Sequence, residues 1–146
     1  MAAQAWQIHD GWFTSLHNGT VDTDTDVFAM RLYTQASNIV NTSINALASI
    51  TDELAAGNGY ATGGATVAVT ISEPSAGVTR LDCADAIWAA TGTGIVARYG
   101  ALVDVTAGVV VAHCLLDVLD ADVTASAGNP FTIEIAATGV YTVTQV

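Results

Sequence analysis

The sequence predicts a mainly β chain, an antiparallel β-sandwich or small barrel with one or two short helices in its N-terminal third. Three observations carry that expectation. From residue 65 onward, β-branched and aromatic residues fall in short runs punctuated by Gly, Asn, Asp and Ser. The stretches between runs, SEPSAG (72–77), ATGTG (90–94) and SAGN (126–129), are short and turn-like, which favours hairpins over helical crossovers. Low charge, and the lack of heptads or a long repeat, exclude coiled coils and solenoids.

Taken in order, WFTSLHNGT (12–20) predicts a brief helix ending near Asn18-Gly19, and VFAMRLY (27–33) predicts a strand. INALASITDEL (44–54) has the apolar spacing of a second short helix, with Thr51, Asp52 and Glu53 as an alternative start of a new turn. Gly57 then reads as a helix C-cap, and Gly63-Gly64 as a wide turn that feeds the following strand. Strands are expected in ATVAVTI (65–71), VTRLDC (78–83), GIVARYGALVD (94–104), GVVVAHCLL (108–116), PFTIEIA (130–136) and VYTVTQV (140–146). Phe131, Ile133 and Ile135 share one face of their run while Thr132 and Glu134 share the other, the pattern of a half-buried strand. Residues 1–20 read as an N-terminal arm or short helix, and 21–146 as a single β-rich domain.

A chain of 146 residues buries about two-thirds of its unfolded surface, enough for an independent core. Hydrophobic residues make up 51% of it and charged ones 12%, so Thr, Ser, Asn, Gly and Ala must cover much of the surface. Such a neutral exterior suggests burial in an assembly, as a homo-oligomer or against a partner. Fourteen carboxylates face three arginines and no lysine, a formal charge of −11. That balance argues against nucleic acid, which is held by several cationic contacts, and against an anionic membrane. The longest apolar stretch, VTAGVVVAHCLL (105–116), is too short to span a bilayer and reads as a buried strand. The N-terminus has neither the basic start nor the apolar run of a secretory signal, though a mature chain would have lost one.

No reaction centre emerges from the spacing. Gly57, Gly59 and Gly63 miss the dinucleotide fingerprint by one residue and follow rather than open a helix-like run, while a Walker loop needs the lysine this chain lacks. Gly92 and Gly94 belong to a hairpin loop. Asp22, Asp24 and Asp26 have the opening rhythm of a calcium loop, but Val27 stands where Gly is needed and Tyr33 where a bidentate Glu is needed. A solvated acidic face is the favoured reading there, with adventitious cation binding as the alternative. His9, His17 and His113 lack ligand spacing, so neither a metal nor a cofactor is expected. Cys83 and Cys114 read as small buried hydrophobes in preference to a disulfide. Arg98, inside an apolar strand, needs a partner, and Asp82 or Asp85 is the expected one, in a structural ion pair. Trp6, Trp12 and Phe13 have two readings of equal weight: docking on the domain's own core, or anchoring to a partner protein.

The segments NGTVDTDTDVFAMRLYT (18–34), DELAAGNGYATGGATV (52–67), DCADAIWAATGTGIVARYGALVD (82–104) and NPFTIEIAATGVYTV (129–143) together resemble a widespread family of tailed-bacteriophage virion structural proteins. In that family FDADDVVW precedes a small loop and an ARYAVLY strand, and LDCADAIW and ARYGALV hold those places here, with Cys83 replacing a polar turn residue. The resemblance implies a noncatalytic particle protein, most readily a capsid decoration (cement) protein. Such a protein would sit on the capsid exterior of the virion, contact the major capsid protein as a homotrimer or other homo-oligomer, and assemble in the bacterial host cytoplasm. A tail or head–tail completion protein is the alternative within the class. A carbohydrate- or receptor-binding β-module, using Trp88 and Tyr60, is the alternative outside it.

Overall fold

Phe28, Met30 and Leu32 alternate with Ala29 and Tyr33, so this strand is apolar on both sides and must be covered twice. The computed structural model describes residues 3–146. In chain order its elements are β1 (Gln7–Ile8), α1 (Trp12–His17), β2 (Phe28–Tyr33), β3 (Ala65–Val67), β4 (Val69–Ser75), β5 (Val78–Cys83), β6 (Ala86–Ala89), β7 (Ile95–Ala97), β8 (Tyr99–Asp104), β9 (Val109–Leu115), β10 (Val123–Ala125), β11 (Pro130–Ile133) and β12 (Tyr141–Thr144). The chain is mainly β, every strand pairing is antiparallel, and α1 is the one α-helix among the described residues. Among the described residues no helix is long and apolar enough to cross a membrane.

One five-stranded sheet, in the order β1-β9-β8-β2-β3, forms the centre. Three smaller ladders, β12-β5-β4, β11-β6 and β10-β7, lie across one of its faces, which gives a sandwich-like arrangement. The main core fills the space between, from Met30, Leu32 and Leu102 on the central sheet to Leu81, Trp88, Ile95 and Phe131 opposite. Burying one Leu or Phe is worth about 1.5–3 kcal/mol, so this cluster dominates the stability.

The second face carries Ala29, Tyr33, Ala101, Val103 and Val110, and it is covered by the loop between β2 and β3, with Ile39 fully buried and Leu47 and Ile50 packed alongside. The helix expected over 44–54 does not form; only a single 3₁₀ turn, Leu47–Ser49, stands there. Its backbone groups are committed elsewhere. Leu47 N–H donates to the Gly108 carbonyl and Val110 N–H to the Asn45 carbonyl, so the segment is tied to the β8–β9 hairpin, and its own bonds stop at the 3₁₀ turn, Ser49 N–H to the Ala46 carbonyl and Ile50 N–H to the Leu47 carbonyl. Gly57 is correspondingly no helix cap.

Other expected runs are divided. The 94–104 run breaks at Arg98, where the chain passes from β7 to β8, and the 65–71 run breaks at Ala68. Stretches 90–94 and 126–129 are not hairpin loops. Because β6 pairs with β11 and β7 with β10, they are facing corners of one long ribbon, joined by bonds from Ala90 N–H to the Asn129 carbonyl and Gly128 N–H to the Ala90 carbonyl. A register shift lies between Leu102 and Val103 of β8, which pair with Ala112 and Val110 and leave Val111 as the extra residue of β9. The Val111 carbonyl accepts from His9 N–H at 3.0 Å, so the irregularity receives the N-terminal arm.

Helix α1 has the expected position and end, with Asn18 as its C-cap. Trp12 is 0% exposed, stands edge-on to Phe28 and donates its indole N–H to the Tyr141 hydroxyl at 2.9 Å. It therefore ties the start of the chain to β12 near its end. Trp12→Ala should cost about 3–5 kcal/mol by chemical denaturation, the range for removing a buried Trp side chain.

Candidate functional site

The Gly-rich stretch 51–64 is organised by Glu53. Its carboxylate accepts from Arg31 at 2.8 Å, from the Tyr60 hydroxyl at 2.8 Å and from Gly63 N–H. The Tyr60 oxygen also accepts from Leu32 N–H at 3.2 Å, and burial raises its pKa well above the usual tyrosine range. Gly57 and Tyr60 exchange two backbone bonds of 2.9 Å around Asn58-Gly59, both at positive φ, a tight hairpin turn of the primed type. Asn58 then holds the 90–94 corner, its carbonyl accepting from Thr91 N–H and its side chain from Thr93 N–H. A Cβ on Gly59 would strike the Ala89 carbonyl, and one on Gly64 the Met30 carbonyl. The glycines allow strands to approach this loop; no open cradle of N–H groups is formed.

The N-terminal aromatic residues separate. Trp12 is a core side chain, which corrects its reading as a partner anchor. Trp6 and Phe13 are half-buried against the main cluster, Phe13 edge-on to Tyr141. Trp6 borders a crevice of about 380 Å³ with Cys114, Leu116, Phe131 and Ile133. Trp88 and Tyr60 are buried against each other and Phe131, so neither presents a sugar-stacking face. Cys83 and Cys114 are free and buried, and burial pushes both thiols up to about 12.

Arg98 is paired, but with neither Asp82 nor Asp85. Its Nε donates to Asp122 at 2.7 Å, and its Nη1 to the Asp120 carboxylate and carbonyl, each at 2.7 Å. These contacts with Asp122 and Asp120 hold the guanidinium charged. Asp82 instead caps Cys83 N–H, and Asp85 accepts from Ile135 N–H at 2.8 Å. Arg98 sits at the β7–β8 break, facing the loop before β10, because β10 is the hydrogen-bonded neighbour of β7.

Two buried histidines went unpaired in the sequence reading. His9 Nε2 and His113 Nδ1 lie 3.2 Å apart, and His9 Nδ1 is 2.7 Å from the Ile44 carbonyl. The pair stitches the N-terminal arm to β9 and to the loop over the second face. Burial lowers the pKa of His9, opposed by the Ile44 carbonyl and Asp10. Burial and then His9 lower His113 to about 4. The Gln7↔His113 pairing that aligns these residues joins positions 7 and 113, a separation no local motif spans.

Among the described residues no three His, Cys, Asp or Glu side chains converge as a metal cage. What does stand out is exposed apolar surface. Ile87 is 62% exposed and Leu119 is 82% exposed. Ile87, Ala89, Ala90 and Pro130 line an open groove of about 580 Å³ on the outer side of the β6–β11 ladder, floored by the glycines of the two corners. Alternation made Phe131 legible as an inward residue; that Ile87 faces outward follows from its neighbour Trp88 facing in. No family model, curated protein or solved structure matches the chain.

Two outcomes are expected. The stability supplied by the neutral histidine pair is complete above the ordinary His value of 6.5 and is lost as pH falls from there toward about 4. His113→Gln should flatten that part of a pH–stability curve measured by urea denaturation. Glu53→Ala, which leaves Arg31, Tyr60 and Gly63 N–H without their acceptor, should destabilise by about 3 kcal/mol in the same assay.

Proposed function

We propose that this chain is a noncatalytic structural protein of a tailed-bacteriophage particle, acting as a capsid decoration (cement) protein on the outer shell surface. The observation that carries the adhesive part is the apolar groove beside Ile87 on a chain of formal charge −11 with no lysine. An aliphatic side chain held rigidly by a strand and left in water is the kind of group a protein interface buries, and flanking Gly and Ala let a partner backbone approach. The assignment to a virion draws on the resemblance in segments 18–34, 52–67, 82–104 and 129–143.

Electrostatics favours the exterior. Packaged DNA would repel a domain of this charge, whereas the outside of a shell imposes no such penalty. The partner is the major capsid protein, and a homotrimer would suit the local three-fold positions of an icosahedral shell. Function is then binding energy alone: many copies, each making a modest apolar contact, hold neighbouring subunits together. Trp12 is spent on the domain's own core, so this reading puts the contact on the β6–β11 face.

The test uses purified shells and recombinant protein. Ile87→Asp replaces an exposed side chain, so the melting temperature should stay within a few degrees of wild type while shell binding falls at least tenfold. Wild-type binding that survives this substitution would move the interface elsewhere. A copy number in purified particles far below that of the shell subunit would favour a tail or head–tail completion role.

A further inference from the structure

The β11-β6 ladder has an open side, because β11 pairs with β6 alone. The bonds around the ladder decide which peptide groups face that side. Ala90 N–H donates to the Asn129 carbonyl and Ile135 N–H to the Asp85 carboxylate, and the register between them runs from Pro130↔Ala89 to Ile133↔Ala86. By the alternation of an antiparallel pair, Phe131 and Ile133 turn their peptide groups toward β6, while Thr132 and Glu134 turn theirs away. Pro130 carries no N–H, so the usable edge begins at Thr132.

Open space lies along this edge. The crevice of about 380 Å³ beside Trp6 is lined by Thr132 and Glu134 on the edge and by Cys114, Leu116 and Phe131 on its apolar side. A second hollow of about 400 Å³ shares Val123, Phe131 and Thr132 with the first and continues to Asn129. The chain already uses such an edge elsewhere. Gln4 N–H donates to the Leu115 carbonyl and His9 N–H to the Val111 carbonyl, so the N-terminal arm lies as an extended segment on the edge of β9.

A strand added to β11 would alternate as β11 does. Its side chains level with Phe131 and Ile133 enter the apolar crevice. Those level with Thr132 and Glu134 stay at the surface, where Glu134 is exposed and, among the described residues, in no ion pair. A carboxylate beside the added strand favours a cation across from it. A second copy of this chain is a poor source of one. It has no lysine and a formal charge of −11, and its arginines are held by Glu53, by Asp120 and Asp122, and by the Ala137 carbonyl.

We propose that the free edge of β11 receives an extended strand of a basic partner protein, which places an apolar side chain in the crevice beside Trp6 and an arginine or lysine beside Glu134. Main-chain bonds to Thr132 and Glu134 supply the affinity, and the alternation of apolar and basic side chains supplies the selectivity. The crevice shares no residue with the groove beside Ile87, so the two contacts are separable.

The test is two-dimensional amide NMR of the labelled full chain at low salt, titrated to about 10 mM with the blocked peptide acetyl-Thr-Val-Arg-Val-Thr-amide. The wild type should bind saturably with a Kd of about 1 mM, and the largest shifts should fall on the amides of Thr132 and Glu134 and the indole of Trp6. Exchanging the peptide's arginine for glutamate should weaken binding about fivefold, and Glu134→Arg, at an exposed position, should reverse that preference. Thr132→Pro removes an N–H that the β6 ladder does not use and should abolish binding; should it not fold, the charge reversal decides alone. The proposal is overturned by the absence of saturable shifts at these amides, by equal binding of the two peptides, or by a folded Thr132→Pro that binds as the wild type does. Shifts of the same amides that grow with protein concentration in the absence of peptide would give the edge to a second copy, and the basic partner would be wrong.

Discussion

The constraint on which the molecule rests is the two-sided burial of β2, β8 and β9. A strand with apolar side chains on both faces is stable only between two covers. The first cover is made of strands, and the main core lies beneath it. The second is an irregular loop, and an irregular loop over a core must satisfy its own peptide groups without a ladder. Side-chain amides and hydroxyls do that here: Ser37 donates to the Thr51 carbonyl, Asn38 to the Ser49 carbonyl, and Asn38 also accepts from Thr51 N–H. The richness in Ser, Thr and Asn thus serves the inside of the fold as well as its surface.

The scarcity of cations gives each arginine a defined task. Arg31 meets Glu53 beside β2, Arg98 gathers the loop before β10, and Arg80 reaches the 136–139 turn.

In the proposed function, adhesion and folding draw on different residues. Large aromatic side chains, the usual anchors of an interface, are consumed by the core: Trp12 and Trp88 are buried and Trp6 is half covered. Aliphatic residues on the outer side of a ribbon remain exposed, and Ile87 faces outward because Trp88 next to it packs inward. Many weak contacts of this kind suit a repeated lattice, where avidity replaces single-site affinity.

The sequence by itself determined the β class, the inward set Phe131 and Ile133, the end of α1 near Asn18 and the scarcity of cations, because alternation, capping and composition act locally or as sums. Its misreadings were of another kind. Apolar spacing over 44–54 fits a helix, yet Leu47 N–H and the Asn45 carbonyl bond to the β8–β9 hairpin. Arg98 demanded an acid, but which acid depended on β7 lying beside β10. The His9–His113 pair joins residues remote in the chain. Only the tertiary structure decided these, since a backbone donor or a charge chooses among partners by distance in space, and strand order sets that distance.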